Sequence, residues 1–496
     1  MTEPSYSDLL KQIEKLLEIV ASQAAKITEL EATVAQQSKR IVELERQLGA
    51  DSSNSSRPPS SDAPWGKKPA KKRSSRQSTG RKPGKQPGDP GVSRSLSDNP
   101  DVTVVLQPPT CRGCRQSLTD TAGAVRDRRQ VVDLPPVAAP VITEYQLQSK
   151  RCPCCDTVTV ADWTDNRDAN TDILAAPGSP VRIGSAALAM CVLLTCGQHL
   201  PVGRATALLE TLTGLHLSTG FTGRARRRAY RKLLAGFAPH MKTLLATAPI
   251  LHADETTGRA NQALAYVHIA CTQYLTMMHV GGRTKEDIDE GGILPDFTGI
   301  LVRDGYAGYD HLPAVHAWCA AHLLRDLRSV SDTDPHGQLW AVAMADTLTG
   351  AHRAAQAARA AGAHRLDPAT VAMLLNHYLG ALAKGTTDNR GHHNELSQRA
   401  RTLIGRFRRF QDMILRFATD LAVPFTNNEA ERSIRPVKVQ QKTSGGCWRT
   451  LAGLTEFALV HSYLNTAHKW GIDKLQVLQQ LFTTGPWLPP ALTPAE

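Results

Sequence analysis

Three consecutive segments decide the fold: ILHADET at residues 250–256, LAYVHIACT at 264–272 and YLTMMHVGG at 274–282. Each segment is rich in β-branched, aromatic and apolar residues, which predicts three consecutive β-strands. An acidic helical stretch, TKEDIDEGG at 284–292, follows them, and the apolar segment GILVRD at 299–304 predicts a fourth strand. This part of the chain is therefore predicted to form a mixed α/β domain.

Three strands, a helix and a fourth strand form the element order of the ribonuclease H-like fold. In that fold the first strand carries an aspartate at its centre, and the fourth strand ends in a second aspartate beside the first. Asp254 and Asp304 hold these two positions in the present sequence. We therefore expect the two side chains to form the first part of a catalytic site.

A third carboxylate is expected from the segment FTNNEAERSIRP at 425–436, which predicts the start of a helix. Glu429 and Glu431 lie about 200° apart around a helix, so only one of them can face the two aspartates. Thr426 and Glu429 have the spacing of a capping box, which gives Glu429 a structural task. Glu431 is then the predicted catalytic carboxylate, and an exposed ion pair with Arg435 is its alternative role.

The three carboxylates predict a site for divalent cations. Converging carboxylates repel one another unless cations are present, and hard oxygen ligands favour Mg²⁺ or Mn²⁺. Two such ions about 3.5 to 4 Å apart support an in-line phosphoryl transfer. We therefore expect two ions at Asp254, Asp304 and Glu431, with Arg432 and Arg435 in contact with phosphate on one helix face.

Residues 1–48 are predicted to form a coiled coil, because apolar residues recur there in heptads. β-Branched residues at one core position and Leu at the other favour a parallel dimer, so we expect a homo-oligomer through this segment. The alternative is a helix that packs on its own chain. The first core position holds Ile13, Val20, Ile27, Val34, Ile41 and Leu48, and the second holds Leu16, Gln23, Leu30, Gln37 and Leu44.

A basic linker is predicted over residues 49–100. The net charge of the chain is +12, and residues 57–95 alone contain 11 Lys or Arg against two Asp. Their Ser, Pro, Gly and Lys cannot bury a core, so this segment is expected to be disordered. A basic disordered segment suits nucleic acid as a partner, although a linker that only aids solubility is the alternative.

Residues 101–170 are predicted to bind zinc through two CxxC pairs. The four thiolates are Cys111 and Cys114 in the first pair and Cys152 and Cys155 in the second, with Cys154 left over. One closed, structural Zn²⁺ is expected at these four residues. Buried thiols without a metal are the alternative, but that alternative does not explain the paired spacing.

Residues 171–247 have a helical pattern that is compatible with a helix-turn-helix. Ser218 or Thr219 can cap its second helix. That helix is rich in arginine and is predicted to contact DNA phosphates. An ordinary helical hairpin with a solvated basic face is the alternative. The predicted DNA-binding residues are Arg224, Arg227, Arg228 and Arg231.

The segments with the three carboxylates define the predicted boundaries in the rest of the chain. The first part of the predicted core spans residues 248–330, and a second part with Glu431 spans 421–450. Between them, residues 331–420 are rich in Ala, Leu and Arg with a helical period, which predicts a helical insertion. Residues 451–496 are predicted to form a helical tail.

Four motifs carry a family resemblance: HADET, LVRDGYAGY, HAWCAAHLLRDL and TNNEAERSIRP. The chain resembles the DDE transposases of the insertion-sequence family numbered sixty-six over nearly its whole length, including the zipper, the NSSRPPSSD linker and the CxxC pairs. The resemblance implies a transposase that acts on the ends of an insertion sequence and on target DNA, with Asp254, Asp304 and Glu431 as its catalytic residues. It also implies that Cys319 and His322, in a CxxH pattern, position the substrate; a packed cysteine and a surface histidine are the alternative.

One departure from the family pattern leaves the partners open. After NNEAERSIRP the chain has the sequence VKVQQKTSGGCWRTLAG, where the type members carry an RKN-like stretch. The chain therefore resembles a side branch of the family, and a need for accessory proteins is left open.

Other classes of protein remain as alternatives or are disfavoured. The longest apolar run, at residues 186–195, is shorter than the roughly 20 residues that span a bilayer, and we expect a cytoplasmic protein associated with the nucleoid. The alternatives to a transposase are a ribonuclease H-like nuclease that only cleaves and a catalytically inactive DNA-binding regulator. The presence of all three carboxylates disfavours the regulator.

Overall fold

The computed structural model describes residues 15, 20, 22–34, 36–38, 41, 95–134, 137–163 and 180–491. The chain divides into two compact units, one formed by residues 68–141 and the other by residues 1–67 with 142–496. No helix among the described residues is long and apolar enough to cross a bilayer.

The described part of the predicted coiled coil is helical. Residues 22–34 and 36–38 form helix, and every side chain described in them is exposed. The heptad residues Val20, Ile27 and Val34 are 56–59% exposed in the single chain. The helix predicted here is confirmed over these residues, while the ends of the heptad, Ile13 and Leu48 among them, lie outside the described residues. Self-association stays a prediction.

A layer of four helices precedes the main sheet. Helix α2 ends at Gly214, whose φ of 73° suits glycine, and α3 begins after Ser218, whose hydroxyl accepts a hydrogen bond from Phe221 N. The predicted pair of helices with a capping Ser218 is therefore present. The four helices are α1 (Ser185–Val192), α2 (Val202–Thr213), α3 (Thr219–Ala235) and α4 (Phe237–Ala246).

The main sheet has five strands in the order β5-β4-β3-β6-β7, and a separate two-stranded hairpin, β1 with β2, precedes it. Strands β3, β4 and β5 are antiparallel neighbours, whereas β6 pairs parallel with β3 and β7 pairs parallel with β6. The three strands, short helix and fourth strand predicted from the sequence are all present. They are β1 (Ser149–Arg151), β2 (Val158–Val160), β3 (Ile250–Ala260), β4 (Ala263–Cys271), β5 (Thr276–Gly281), helix α5 (Lys285–Asp289), β6 (Ile300–Arg303) and β7 (Val315–Trp318).

A two-residue turn joins β3 to β4. Asn261 and Gln262 both have positive φ, at 49° and 64°. Such a turn matches the right-handed twist of antiparallel strands and fixes their register. The turn therefore sets which residues of β3 face the interior of the domain.

Five helices lie between β7 and the segment with Glu431, and the last four of them lie within the predicted insertion at residues 331–420. Asp367 and Asn394 cap two of them by accepting hydrogen bonds from backbone N–H groups. Trp340, Tyr378 and Phe407 are fully buried among them. The five are α6 (Ala320–Thr333), α7 (Leu339–Ala360), α8 (Pro368–Asp388), α9 (Glu395–Arg409) and α10 (Gln411–Thr419).

Three helices complete the fold: α11 (Asn428–Thr443), α12 (Leu451–Lys469) and α13 (Lys474–Thr483). Helix α12 packs along the edge strand β5. Met278 N donates to Ser462 Oγ at 2.9 Å, and Thr276 N donates to Thr466 Oγ1 at 3.1 Å. The hydroxyls of α12 thus satisfy backbone groups that the edge strand would otherwise leave unpaired.

The role of α12 predicts a specific loss of stability. Thr466→Val keeps the shape of the side chain but leaves the buried N–H of Thr276 unpaired, which costs about 1 to 3 kcal/mol. We expect a lower urea midpoint for unfolding, followed by circular dichroism. Thr455→Val, on the exposed side of the same helix, is the matched control; equal midpoints for the two variants would contradict this role.

Candidate functional site

The register of the sheet brings Asp254 and Asp304 to the same level of two neighbouring strands. The last parallel pair between β3 and β6 is His252 with Val302. Asp254 lies two residues beyond the first member of that pair, and Asp304 lies two residues beyond the second. Because parallel strands advance together, the two aspartates lie side by side where β6 ends.

Asn427 joins the segment with Glu431 to this point of the sheet. Its side-chain amide donates to Ala253 O at 2.7 Å, and its carbonyl oxygen lies 2.9 Å from His252 Nδ1. The side chain of Asn427 is buried, and α11 begins at the next residue. Glu431, in the first turn of α11, is therefore held next to the centre of β3.

The predicted capping box at the start of α11 is wrong. The N-cap residue is Asn427, so Thr426 precedes the cap and Glu429 occupies the second helical position rather than the third. No side chain caps this helix, because the side chain of Asn427 is engaged with β3. Glu429 instead lies 3.0 Å from Lys469 Nζ and 3.3 Å from Arg432 Nη2.

The electrostatics of the site are dominated by carboxylates. The protein environment around Asp254 raises its pKa well above the usual value, first through desolvation and then through the charges of Glu255, Asp304 and Glu431. A shift in this direction means that the folded chain disfavours full ionisation of the cluster. The site therefore favours a bound proton or a bound cation.

One carboxylate oxygen of Glu431 lacks a hydrogen-bond partner. This atom, Oε1, is buried and lies 3.9 Å from both His322 Nδ1 and Arg325 Nη2. Its partners do not include Arg435, which was the alternative considered for it. A buried carboxylate oxygen without a donor is costly unless a cation binds it.

Cys319 and His322 lie beside Glu431. Cys319 is the N-cap residue of α6 and its sulfur accepts a hydrogen bond from Asn427 N at 3.2 Å. His322 lies in the first turn of that helix. Ligand atoms of Cys319, His322 and Glu431 all lie within 4.8 Å of one another, close enough to approach one metal ion.

A fourth carboxylate, Glu255, was missed by the sequence analysis. Arg283 Nη2 donates to Glu255 Oε1 and the hydroxyl of Tyr309 donates to Oε2, each at 2.8 Å. The guanidinium of Arg283 also lies 4.0 Å from the ring centroid of Tyr306, whose N–H donates to Asp304 Oδ1 at 2.9 Å. Glu255 is thereby linked to the loop that holds Asp304. The feature of the sequence that could have identified Glu255 is its position next to Asp254 in a strand predicted to be buried.

The predicted DNA-binding arginines are mainly at the surface. Arg224, Arg228 and Arg231 are exposed on α3. Arg227 is 55% exposed, but its Nε donates to Glu456 of α12 at 2.8 Å. Arg432 and Arg435 are exposed on α11. The pairing of Arg227 with the buried Glu456 gives that arginine a structural contact that the sequence did not predict.

The two cysteine pairs have the same local turn. Cys111 N donates to Gln116 O and Cys152 N donates to Thr157 O, both at 2.9 Å. The residue after each pair, Arg115 or Asp156, has a φ near 60°. Hydrogen bonds from backbone N–H groups of Cys114 and Gly113 lower the pKa of the Cys111 thiol, and hydrogen bonding with Thr157 lowers that of Cys155. Each turn therefore favours thiolates, the form that binds a metal.

The network around Glu255 predicts a loss of catalysis on substitution. Glu255→Gln removes the negative charge that Arg283 and Tyr309 hold, so the loop with Asp304 loses its anchor. We expect the DNA cleavage that the family resemblance implies to fall by roughly 10- to 100-fold, as for other residues that orient a ligand, while the implied DNA binding is retained. The exposed Glu290→Gln is the control. Unchanged cleavage by Glu255→Gln would remove this role.

Comparisons with known proteins give two family matches. Residues 180–455, more than half of the chain, match the family described as Transposase IS66 family. Residues 1–95 match a Family of unknown function (DUF6444). A search of curated proteins finds no match to this chain. The first matched region contains the three carboxylates and the helical segment, and the second contains the heptad repeat and most of the basic linker.

Proposed function

The chain belongs to the transposase IS66 family, and on that premise we propose that it cuts and joins DNA strands at Asp254, Asp304 and Glu431. The proposed substrates are the double-stranded ends of an insertion sequence and a target DNA. The observation that carries the proposal is the placement of three carboxylates from β3, β6 and α11 at one point of the sheet, where Asp254 responds to the charges of the other two.

The sheet topology supports a ribonuclease H-like core. Three antiparallel strands are followed by two parallel strands on the other side of β3, so the first strand lies at the centre. Asp254 lies on this central strand, and Asp304 directly follows its parallel neighbour β6. The ribonuclease H-like fold expected from the sequence requires two aspartates in these neighbouring positions.

The residues present fit divalent cations at the carboxylates. Burial, and after it the neighbouring negative charges, raise the pKa of Asp254, and Glu431 Oε1 is buried without a hydrogen-bond partner. Oxygen ligands of this kind suit two Mg²⁺ or Mn²⁺ ions held by Asp254, Asp304 and Glu431. Such ions would supply activation of a water or 3′-hydroxyl and stabilisation of the leaving 3′-oxygen.

The protein's own residues orient the substrate and the carboxylates. Asn427 holds the start of α11 on β3 and thereby fixes the position of Glu431. Arg432 and Arg435 are exposed on the same helix and are proposed to bind phosphate groups of the DNA. Cys319 and His322 are proposed to position the substrate beside Glu431.

Binding of the DNA ends is assigned to other parts of the chain. Arg224, Arg228 and Arg231 project from one exposed face of α3 and are proposed to contact phosphates, with Arg227 contributing beside its ion pair. One structural Zn²⁺ at Cys111, Cys114, Cys152 and Cys155 is proposed to stabilise the region between the linker and the helices. The matching turns of the two pairs support this assignment.

Single substitutions of the carboxylates test the proposed function. Asp254→Asn, Asp304→Asn and Glu431→Gln should each abolish Mg²⁺-dependent cleavage and joining of labelled element ends, because each removes a charged ligand, while end binding in band-shift experiments persists. Glu429→Gln, on the same helix, is the matched control and should retain activity. If Glu431→Gln is active and Glu429→Gln is not, the assignment of the third carboxylate is wrong. Cleaved products without joined products would indicate a nuclease.

The exposed heptad positions predict assembly through the N-terminal helix. Burying each apolar core residue contributes on the order of 1.5 to 3 kcal/mol, and Leu30 is 55% exposed in the single chain. Leu30→Glu should therefore weaken the oligomer in sedimentation experiments and reduce paired-end complexes, with binding of a single end intact. Ala32→Glu, outside the core positions, should not. Normal assembly by Leu30→Glu would place the oligomer contacts elsewhere.

A further inference from the structure

Three potential metal ligands of different chemistry meet where α6 and α11 begin. Cys319 and His322 occupy the N-cap and the first turn of α6, and Glu431 lies in the first turn of α11. A sulfur, a ring nitrogen and a carboxylate oxygen from these residues lie within 4.8 Å of one another. Soft sulfur and imidazole nitrogen select a different ion from the all-oxygen set that Mg²⁺ prefers.

Two of the three ligand atoms are buried without hydrogen-bond partners. His322 Nδ1 and Glu431 Oε1 both lack one, and they lie 3.9 Å apart. Ligand atoms of this kind around a tetrahedral Zn²⁺ lie roughly 3.3 Å apart, given bonds of about 2.0 Å. A movement of well under 1 Å would therefore bring the two atoms to a common ion.

We propose that Cys319 Sγ, His322 Nδ1 and Glu431 Oε1 form a second cation site that takes a thiophilic ion such as Zn²⁺ and that inhibits the enzyme when filled. The inhibition rests on the proposed function, because it withdraws Glu431 from the pair of aspartates. The binding of the ion does not depend on that function. The fourth position of the ion is left to water.

The chemistry at Cys319 balances with the release of one proton. The Cys319 thiol is buried, and it carries its proton when no cation is present. Binding of the ion forms a sulfur–metal bond, and the thiol proton leaves to solvent. The N–H of Asn427, 3.2 Å from the sulfur, and the start of α6 stabilise the resulting thiolate.

Charge explains how this ion would oppose the catalytic ions. The ion brings two positive charges and the thiol releases one proton, so binding adds one net positive charge beside the carboxylates that the proposed Mg²⁺ ions share. Arg325 already places a positive charge there, because its Nη2 atom lies 3.9 Å from Glu431 Oε1. Mg²⁺ must then bind against the repulsion of the added ion, and Glu431 Oε1 is no longer free to bind Mg²⁺. The concentration of Mg²⁺ needed for cleavage should therefore rise when Zn²⁺ is present.

Binding can be measured without any DNA reaction by adding Co²⁺ to the full-length protein whose zinc content has been determined. We expect a sulfur-to-cobalt charge-transfer band with one added equivalent, and no loss of zinc. Cys319→Ser and His322→Gln should each weaken this binding by at least about tenfold. Cys191→Ser, which changes a buried thiol in α1, should leave it unchanged. No band, or a band that persists in both site variants, overturns the proposal.

Inhibition is measured separately, as cleavage at fixed Mg²⁺ with increasing Zn²⁺, each variant being compared with its own zinc-free rate. Wild-type cleavage should fall and recover with added Mg²⁺, and Cys319→Ser should need at least about tenfold more Zn²⁺ for the same fractional loss. Equal sensitivity of the two proteins overturns the inhibition. Co²⁺ binding together with an active Glu431→Gln would instead retain the ion site and reject the proposed role of Glu431 in catalysis.

Discussion

The buried side chain of Asn427 is the constraint on which the geometry of the site depends. Its amide group pairs with Ala253 and His252 of β3, and its backbone N–H donates to Cys319 at the start of α6. One residue thereby connects the centre of the sheet with the first turns of two helices. The backbone of the neighbouring segment adds a second link, since Ala320 N donates to Phe425 O at 3.0 Å. These contacts return the chain to the sheet after five intervening helices.

The carboxylates near Asn427 differ in how well other groups of the protein neutralise their charge. Glu255 accepts hydrogen bonds from the guanidinium of Arg283 and the hydroxyl of Tyr309, and its side chain is buried. Asp254 accepts a hydrogen bond from the backbone N–H of Glu255, and Glu431 Oε1 has Arg325 only at 3.9 Å, while burial and like charges raise the pKa of Asp254. Carboxylates that only fix structure are normally paired in the folded chain. The unbalanced part of the cluster is therefore the part on which a cation would act.

Local patterns in the sequence were sufficient to predict the strands and helices. They were not sufficient to predict side-chain contacts between residues that are distant in sequence. Alternating and apolar segments predicted β3 to β6, and the position of Asp304 at the end of a strand followed from GILVRD. The capping box failed because the N-cap residue is Asn427 rather than Thr426, and the side chain of Asn427 binds β3, 174 residues away, instead of capping the helix. The pairing of Arg227 with Glu456 spans 229 residues and has no local signal. Glu255 was missed because strand alternation places it on the face opposite Asp254, whereas its partners come from other loops.

Asp304 and Glu431 are separated by 127 residues, so a ribosome synthesises the two aspartates well before the third carboxylate. A nascent chain that has emerged as far as β7 already contains both aspartates and the basic face of α3. It still lacks Asn427, Glu431 and the hydroxyls of α12 that close the edge of the sheet. Translation that stops early therefore yields a product with an open β-strand edge and an incomplete carboxylate set. Completion of the carboxylate set and closure of the sheet edge both depend on residues 427–466, so the fold makes the two events depend on the same late stage of synthesis.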